Sequence, residues 1–126
     1  MKQIIHHPSA PAPVGPYNQA ILCDGTLYVS GQIAIDQQTG TLVLDTIEAE
    51  THQVMKNLGY VLEAAGMTYG DIVKCTVFVT DMAQYSEINA VYATYFSDDT
   101  APARELVQVA NLPKYVHVEI SCIAVK

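Results

Sequence analysis

Arg104 is one of only six Lys and Arg residues, set against thirteen Asp and Glu, so a cation here reads as placed rather than as part of a basic surface. It follows Pro102-Ala103 and opens the β-like run Leu106-Val107-Gln108-Val109. Proline fixes its own φ and biases its predecessor to extended backbone, which stiffens the segment that delivers the guanidinium. A planar guanidinium at the mouth of a strand can receive a carboxylate or phosphate through two parallel hydrogen bonds. The competing reading is a surface ion pair with Asp98 or Asp99. Glu119 is the second candidate. Flanked by Val118 and Ile120 in the last apolar run, its carboxylate is partly desolvated, and such a group either pairs with a cation or takes a raised pKa suited to proton handling. Arg104 is the natural partner to test; a solvated glutamate on a sheet face is the alternative. Asn89, among apolar residues of a helix, is either a hydrogen-bonding anchor or part of a wet helix face.

Other chemistries find no support. His6, His7, His52 and His117 have no metal-ligand spacing, and a strand would point His6 and His7 to opposite sides. Ser30-Gly31 lacks the G-x-S-x-G context of a nucleophile elbow. Gly15, Gly25 and Gly31 are too dispersed for a phosphate loop or a dinucleotide fingerprint, so no cofactor is implied. Tyr85, Tyr92 and Tyr95 stand at helical spacing and read as core or interface.

The elements that must position these residues follow from periodicity. Lys2 to His6 can form an edge strand, and the Pro-rich segment from Pro8 to Pro16 is a surface loop. Asp24-Gly25 between Ala20–Cys23 and Thr26–Ser30 predicts a hairpin, with Gly31 closing its second strand where a ligand can approach the backbone. Asp36 to Gly40 is a turn. Asp45 with Glu48 predicts a capping pair opening a helix to about Ala65, with Val54, Leu58, Val61, Leu62 and Ala65 buried and Gly66 as the stop. Ile72 to Val79 predicts a strand with Val73, Cys75, Val77 and Val79 on one face. Asp81 with Gln84 caps a second helix through about Phe96, whose apolar side is Ile88, Val91, Tyr92 and Tyr95. After a turn at Leu112 to Tyr115, Val116 to Val125 is a strand with Val116, Val118, Ile120, Cys122 and Ala124 inward and His117, Glu119 and Ser121 outward. The order β-β-β-α-β-α-β-β predicts an α+β fold, a mixed sheet with both helices on one face.

At 126 residues the chain reads as a single domain, 1–126. A net charge of −7 argues against nucleic-acid binding but leaves room for a small anionic substrate, which needs one local cation. Met1 to His7 lacks the apolar core of a signal peptide, and no apolar run is long enough to cross a bilayer, so no membrane association is expected. Cys23, Cys75 and Cys122 have no CxxC spacing and read as buried free thiols in a reducing compartment, giving a cytoplasmic expectation.

Taken together, Gly15-Pro16-Tyr17-Asn18-Gln19-Ala20, Val29-Ser30-Gly31-Gln32, Asn89-Ala90-Val91-Tyr92 and Pro102-Ala103-Arg104 resemble the RidA (YjgF/YER057c/UK114) family. Leu112-Pro113-Lys114 and Val118-Glu119-Ile120 fit the same pattern, so the resemblance runs over essentially the whole chain. It implies a chorismate-mutase-like α+β fold and a homotrimer whose sheets form a central barrel, with clefts between subunits. It also implies hydrolysis of reactive 2-imino or enamine acids, such as 2-aminoacrylate, to 2-oxo acids and ammonia, with neither metal nor cofactor. By the resemblance Arg104 grips the substrate carboxylate, Glu119 helps handle the attacking water, Tyr17 covers the substrate, and Ser30, Gly31 and Asn89 belong to the cleft.

Two departures bear on the chemistry. Leu106 stands where many members carry Cys or a small polar residue, and in a strand it points to the same side as Arg104, making the pocket more apolar. Glu105 replaces a position usually small or apolar, and the loop before Pro102 is short. A deaminase is therefore one expectation, and a trimer that binds a 2-oxo acid without turning it over is the other. A ribonuclease or translation-inhibitor role sits badly with the acidic charge.

Overall fold

In the computed structural model, which describes residues 1–126, strand β1 (Lys2–Ile5) pairs antiparallel with β2 (Ala20–Cys23), and β2 turns into β3 (Thr26–Gln32). The turn is Asp24-Gly25, with φ of 51° and 81°. Two positive φ values in a two-residue connection match the right-handed twist of the flanking strands, and Gly and Asp are among the residues that tolerate them best. A small hairpin, β4 (Ile35–Asp36) with β5 (Thr41–Leu42), encloses the turn expected at Asp36 to Gly40. Then come helix α1 (Ile47–Ala64), β6 (Ile72–Val79), helix α2 (Tyr85–Ala93), β7 (Ala103–Gln108) and β8 (Val118–Val125). The main sheet runs β1-β2-β3-β8-β6-β7. Only β6 and β7, joined through α2, are parallel, so the sheet is mixed and the fold is α+β.

The core lies between the sheet and the helices. Leu27, Val77, Val79 and Ile120 from the strands meet Val54, Leu58, Val61 and Leu62 of α1 and Ile88 of α2, all of them buried. Each such side chain contributes roughly 1.5–3 kcal/mol by leaving water. Helix α1 stops at Gly66, whose φ of +72° lets its N–H reach the Glu63 carbonyl while Met67 N–H reaches Leu62, closing a Schellman motif.

Several boundaries differ from expectation. The N-cap of α1 is Thr46, whose hydroxyl accepts from Ala49 N–H at 3.0 Å, and not Asp45. Asp45 and Thr46 are adjacent capping types, and Glu48 three residues after Asp45 imitated a capping box. Asp81 does cap, but through Ala83 N–H and a 3₁₀ turn (Met82–Gln84) that precedes α2. Helix α2 ends at Ala93 rather than Phe96, because Thr94, Tyr95 and Phe96 make tighter three-residue bonds to Val91, Tyr92 and Ala93. Val73 is 48% exposed, not buried. A register shift against β8 between Ile72 and Lys74 leaves Ile72 and Cys75 both inward with two residues between them. Strand β7 begins at Ala103, so Arg104 sits inside it and not at its mouth.

One device went unread in the sequence. Glu50, Gln53 and Asn57, one turn apart along α1, are all buried. Glu50 Oε2 accepts from the N–H groups of His117 (2.7 Å) and Val118 (3.1 Å), and Oε1 lies 2.7 Å from His117 Nδ1. Asn57 Nδ2 donates to the carbonyls of Ile33 and Ile35, both at 2.9 Å, and its Oδ1 accepts from Gln53. The stripe thus pins the entry to β8 and the exit from β3 to the same helix. Glu50→Ala is expected to cost about 3 kcal/mol, since it strands buried N–H groups that lose a charged acceptor. Glu50→Gln, which keeps an acceptor oxygen, is expected to recover most of that in urea titrations monitored by circular dichroism.

Candidate functional site

Strand β7 lies beside β6 with Arg104 opposite Cys75 and Leu106 opposite Val77. Cys75 and Val77 are buried under the helices, so Arg104 and Leu106 project to the helix-bearing face. There α2 presents Tyr85, Asn89 and Tyr92 at i, i+4 and i+7, one face of a helix. Arg104 Nη1 donates to Asn89 Oδ1 at 2.8 Å, and Nη2 donates to the Tyr85 hydroxyl at 3.0 Å. The guanidinium carbon lies 4.9 Å from the Tyr92 ring centroid and 5.8 Å from that of Tyr85, within cation–π range. A hollow opens beside it between Asn89, Phe96 and Pro102.

No carboxylate pairs with this cation. The ion pairs of the chain are Met1–Asp24, His7–Glu63, Lys74–Glu105 and His117–Glu50. The expected alternatives, Asp98, Asp99 or Glu119, are thus not its partners; Asp98 borders the hollow without reaching the guanidinium. The groups beneath are neutral. Burial pushes up both the Tyr92 phenol and the Cys75 thiol, so neither supplies negative charge near pH 7. Arg104 is held by neutral acceptors and an aromatic face, with its charge uncompensated within the chain. Leu106 packs against the core and forms an apolar wall on the same side.

Glu119 belongs to a second hollow. It is paired with Phe78 in the β6–β8 register, three residues along β6 from Cys75, so it projects to the opposite face from Arg104. Its carboxyl group lies directly over Gly31; a Cβ at Gly31 would come within 2.7 Å of Glu119 Cδ. Tyr17, Gly31, Ile33, Pro113, Lys114 and Glu119 frame a cavity of about 280 Å³, just below the usual size of drug-sized ligand sites and enough for a small metabolite. Desolvation by burial raises the Glu119 pKa above the ordinary 4.5. The Pro-rich loop over this cavity is clamped by Gln19, which is buried, donates to the carbonyls of His7, Ala10 and Pro11 and accepts from His7 N–H. Ser30 stands next to Gly31, but its hydroxyl is engaged with the Asn18 carbonyl at 2.7 Å.

The structure therefore gathers the residues singled out in the sequence into two groups. Arg104, Asn89 and Leu106 stand on one face, and Tyr17, Gly31 and Glu119 on the other. Tyr85 joins the first group and Gln19 the second without having been picked out as site residues. Gln19 carried a readable signal, one of two adjacent amides (Asn18, Gln19) at the end of a proline-rich loop whose carbonyls need donors.

A model of the family described as Endoribonuclease L-PSP matches residues 7–126. A mouse 2-iminobutanoate/2-iminopropanoate deaminase is 43% identical over 126 residues, covering 100% of this chain and 93% of its own. The chain belongs to the RidA family. A RutC family protein of Synechocystis is 52% identical over 124 residues, 98% of this chain and 95% of that one. Among solved structures, RidA from an Antarctic Psychrobacter superposes with a TM-score of 0.93 at 40% identity, covering 98% of this chain and 99% of that one. E. coli TdcF with bound serine superposes with a TM-score of 0.92 at 39% identity, covering 98% of each chain. RidA-family homology therefore places this chain among relatives named as imine deaminases.

The Gly31–Glu119 contact makes a prediction for this RidA-family chain. Gly31→Ala should swing the Glu119 carboxylate aside, because the obstructing atoms are the end of a flexible side chain and give way before backbone does. Stability should change by less than about 1 kcal/mol, and a reaction that uses the Glu119 carboxylate in its present position should slow about tenfold or more, since displacing a reacting group by roughly 1 Å is costly. Thermal unfolding and turnover measured on one preparation separate the two effects.

Proposed function

We propose that this protein hydrolyses 2-imino or enamine acids to 2-oxo acids and ammonia in clefts formed between subunits of a homotrimer. The observation that carries the reading is Arg104, a fixed guanidinium with no carboxylate partner in its own chain. Arg104 receives the substrate carboxylate, with Asn89 holding the guanidinium plane. A half-buried Glu119 takes a proton from water as the water oxygen bonds to the imine carbon. The proton passes to nitrogen to give a carbinolamine, and Glu119 then moves the hydroxyl proton to nitrogen as the carbon–nitrogen bond breaks and the carbonyl forms, so that ammonia leaves with the 2-oxo acid. Tyr17 covers the substrate, and Gly31 leaves room for it beside Glu119. Ser30 contributes through its backbone, its hydroxyl being engaged elsewhere.

The need for a second subunit rests on the faces. Arg104 and Glu119 project to opposite sides of one sheet, so a cleft that uses both takes them from two copies. The helix-free face of the sheet carries exposed Tyr28, Val107 and Val125, an apolar surface suited to assembly. Trimerisation brings the Arg104 half of one copy against the Glu119 half of the next.

Leu106 favours a second reading, a trimer that binds a 2-oxo acid without converting it. An apolar wall beside Arg104 offers no side-chain ligand to water. RNA cleavage gains nothing from the charge: Lys2, Lys56, Lys74, Arg104, Lys114 and Lys126 are dispersed along a chain of net charge −7. The deciding assay couples a pyridoxal-phosphate dehydratase, or an amino-acid oxidase, to this protein and follows loss of the imine. Accelerated loss is expected. No acceleration, with 2-oxo acid binding still measurable by calorimetry, would replace the enzyme with the sensor.

A further inference from the structure

We infer that Tyr85 is a second donor to the anion that Arg104 receives, making the receptor an arginine–phenol pair. The inference rests on the anion-receptor role of Arg104 and extends it to a residue whose spacing suggested only core or interface. Tyr85 opens α2, one turn before Asn89, and its hydroxyl oxygen accepts from Arg104 Nη2 at 3.0 Å. Arginine has no acceptor atom, so the phenol cannot return its own proton to the guanidinium. The hydroxyl makes no other hydrogen bond within the chain, and the residue is 36% exposed. Its O–H is therefore a free donor at the open edge of the receptor.

The geometry gives that donor a target. Two guanidinium N–H groups are spent, on Asn89 and on Tyr85, and three remain for a ligand. A carboxylate oxygen that takes the remaining N–H of Nη2 lies one hydrogen bond from the Tyr85 hydroxyl. Accepting from a cation also polarises the phenol and strengthens its O–H as a donor. The pair therefore favours a carboxylate, whose oxygens can take donors from both, over a neutral carbonyl compound of the same size. It also supplies a polar group on the Arg104 side, where Leu106 presents none.

Tyr85→Phe removes one oxygen and leaves the ring and its approach to the guanidinium in place. In this variant the Kd for 2-oxobutanoate, measured by calorimetry, is expected to rise about tenfold, the equivalent of one hydrogen bond to a charged group. In the imine-loss assay KM is expected to rise with it, the loss falling on KM more than on kcat, while the unfolding temperature stays put. A change below twofold in both Kd and KM overturns the inference. So does a fall in kcat alone, which marks the phenol as a mere prop for the guanidinium. Wild type that binds 2-oxobutanoate without turning over imine, with binding tenfold weaker in Tyr85→Phe, overturns the deaminase and supports the receptor pair. Wild type that does not bind 2-oxobutanoate overturns the receptor itself.

Discussion

Arg104→Ala should lower kcat/KM for a 2-imino acid about a hundredfold or more and abolish detectable binding of 2-oxo acids. Two charge-assisted hydrogen bonds to a carboxylate contribute about 3 kcal/mol or more, and each 1.4 kcal/mol is a factor of about ten. The fold should survive, because Arg104 is partly exposed and makes no ion pair, and its hydrogen bonds go to Asn89 and Tyr85 at the rim of α2. Removing it leaves Asn89 Oδ1 and the Tyr85 hydroxyl within reach of water, not orphaned in the core. Steady-state kinetics alongside a thermal melt separate the two effects. Undiminished turnover in Arg104→Ala would remove the carboxylate clamp from the mechanism.

Glu119→Gln carries the second large effect, a loss of about 10²–10⁴ in kcat, the usual range for a general acid–base group. The wild-type pH profile should show why. Burial holds the Glu119 carboxyl protonated to a higher pH than the ordinary 4.5, and a base must be deprotonated to act. The rate should therefore fall as pH drops through a midpoint above 4.5, and this acid limb should vanish in the Gln variant. Stability follows the same linkage with its own sign. A carboxyl whose folded pKa is raised stabilises the fold below its unfolded pKa, and that stabilisation is lost as pH rises through the folded value. Above that window Glu119→Gln should be at least as stable as wild type in urea titrations. An acid limb that persists unchanged would assign the titration to another group.

What could be read from sequence was what short-range chemistry decides. Asp24-Gly25 demanded a turn with two positive φ values, Gly66 a left-handed cap, and the alternation from Val116 to Ala124 a strand with one buried face. Val73 broke the alternation rule through a bulge that only the β6–β8 pairing reveals. The site was legible as residue types and not as an arrangement. Nothing local says that β7 lies parallel to β6 in the register that turns Arg104 toward α2 and leaves Glu119 on the other face. Glu50, Gln53 and Asn57 fall outside the apolar stripe of Val54, Leu58, Val61, Leu62 and Ala65. Their burial makes sense only once the N–H groups of His117 and Val118 and the carbonyls of Ile33 and Ile35 are seen to need partners.

The central claim, that Arg104 of one subunit works with Glu119 of the next, is tested most directly by mixing two inactive variants. Arg104→Ala and Glu119→Gln proteins would be unfolded together, refolded and assayed for imine hydrolysis. Random assortment in a cyclic trimer places an intact Arg104 against an intact Glu119 in roughly a quarter of the clefts. About a quarter of wild-type activity should therefore appear in the mixture and in neither parent. Mixed trimers, verified by native mass spectrometry, that stay as inactive as both parents would contradict the shared cleft.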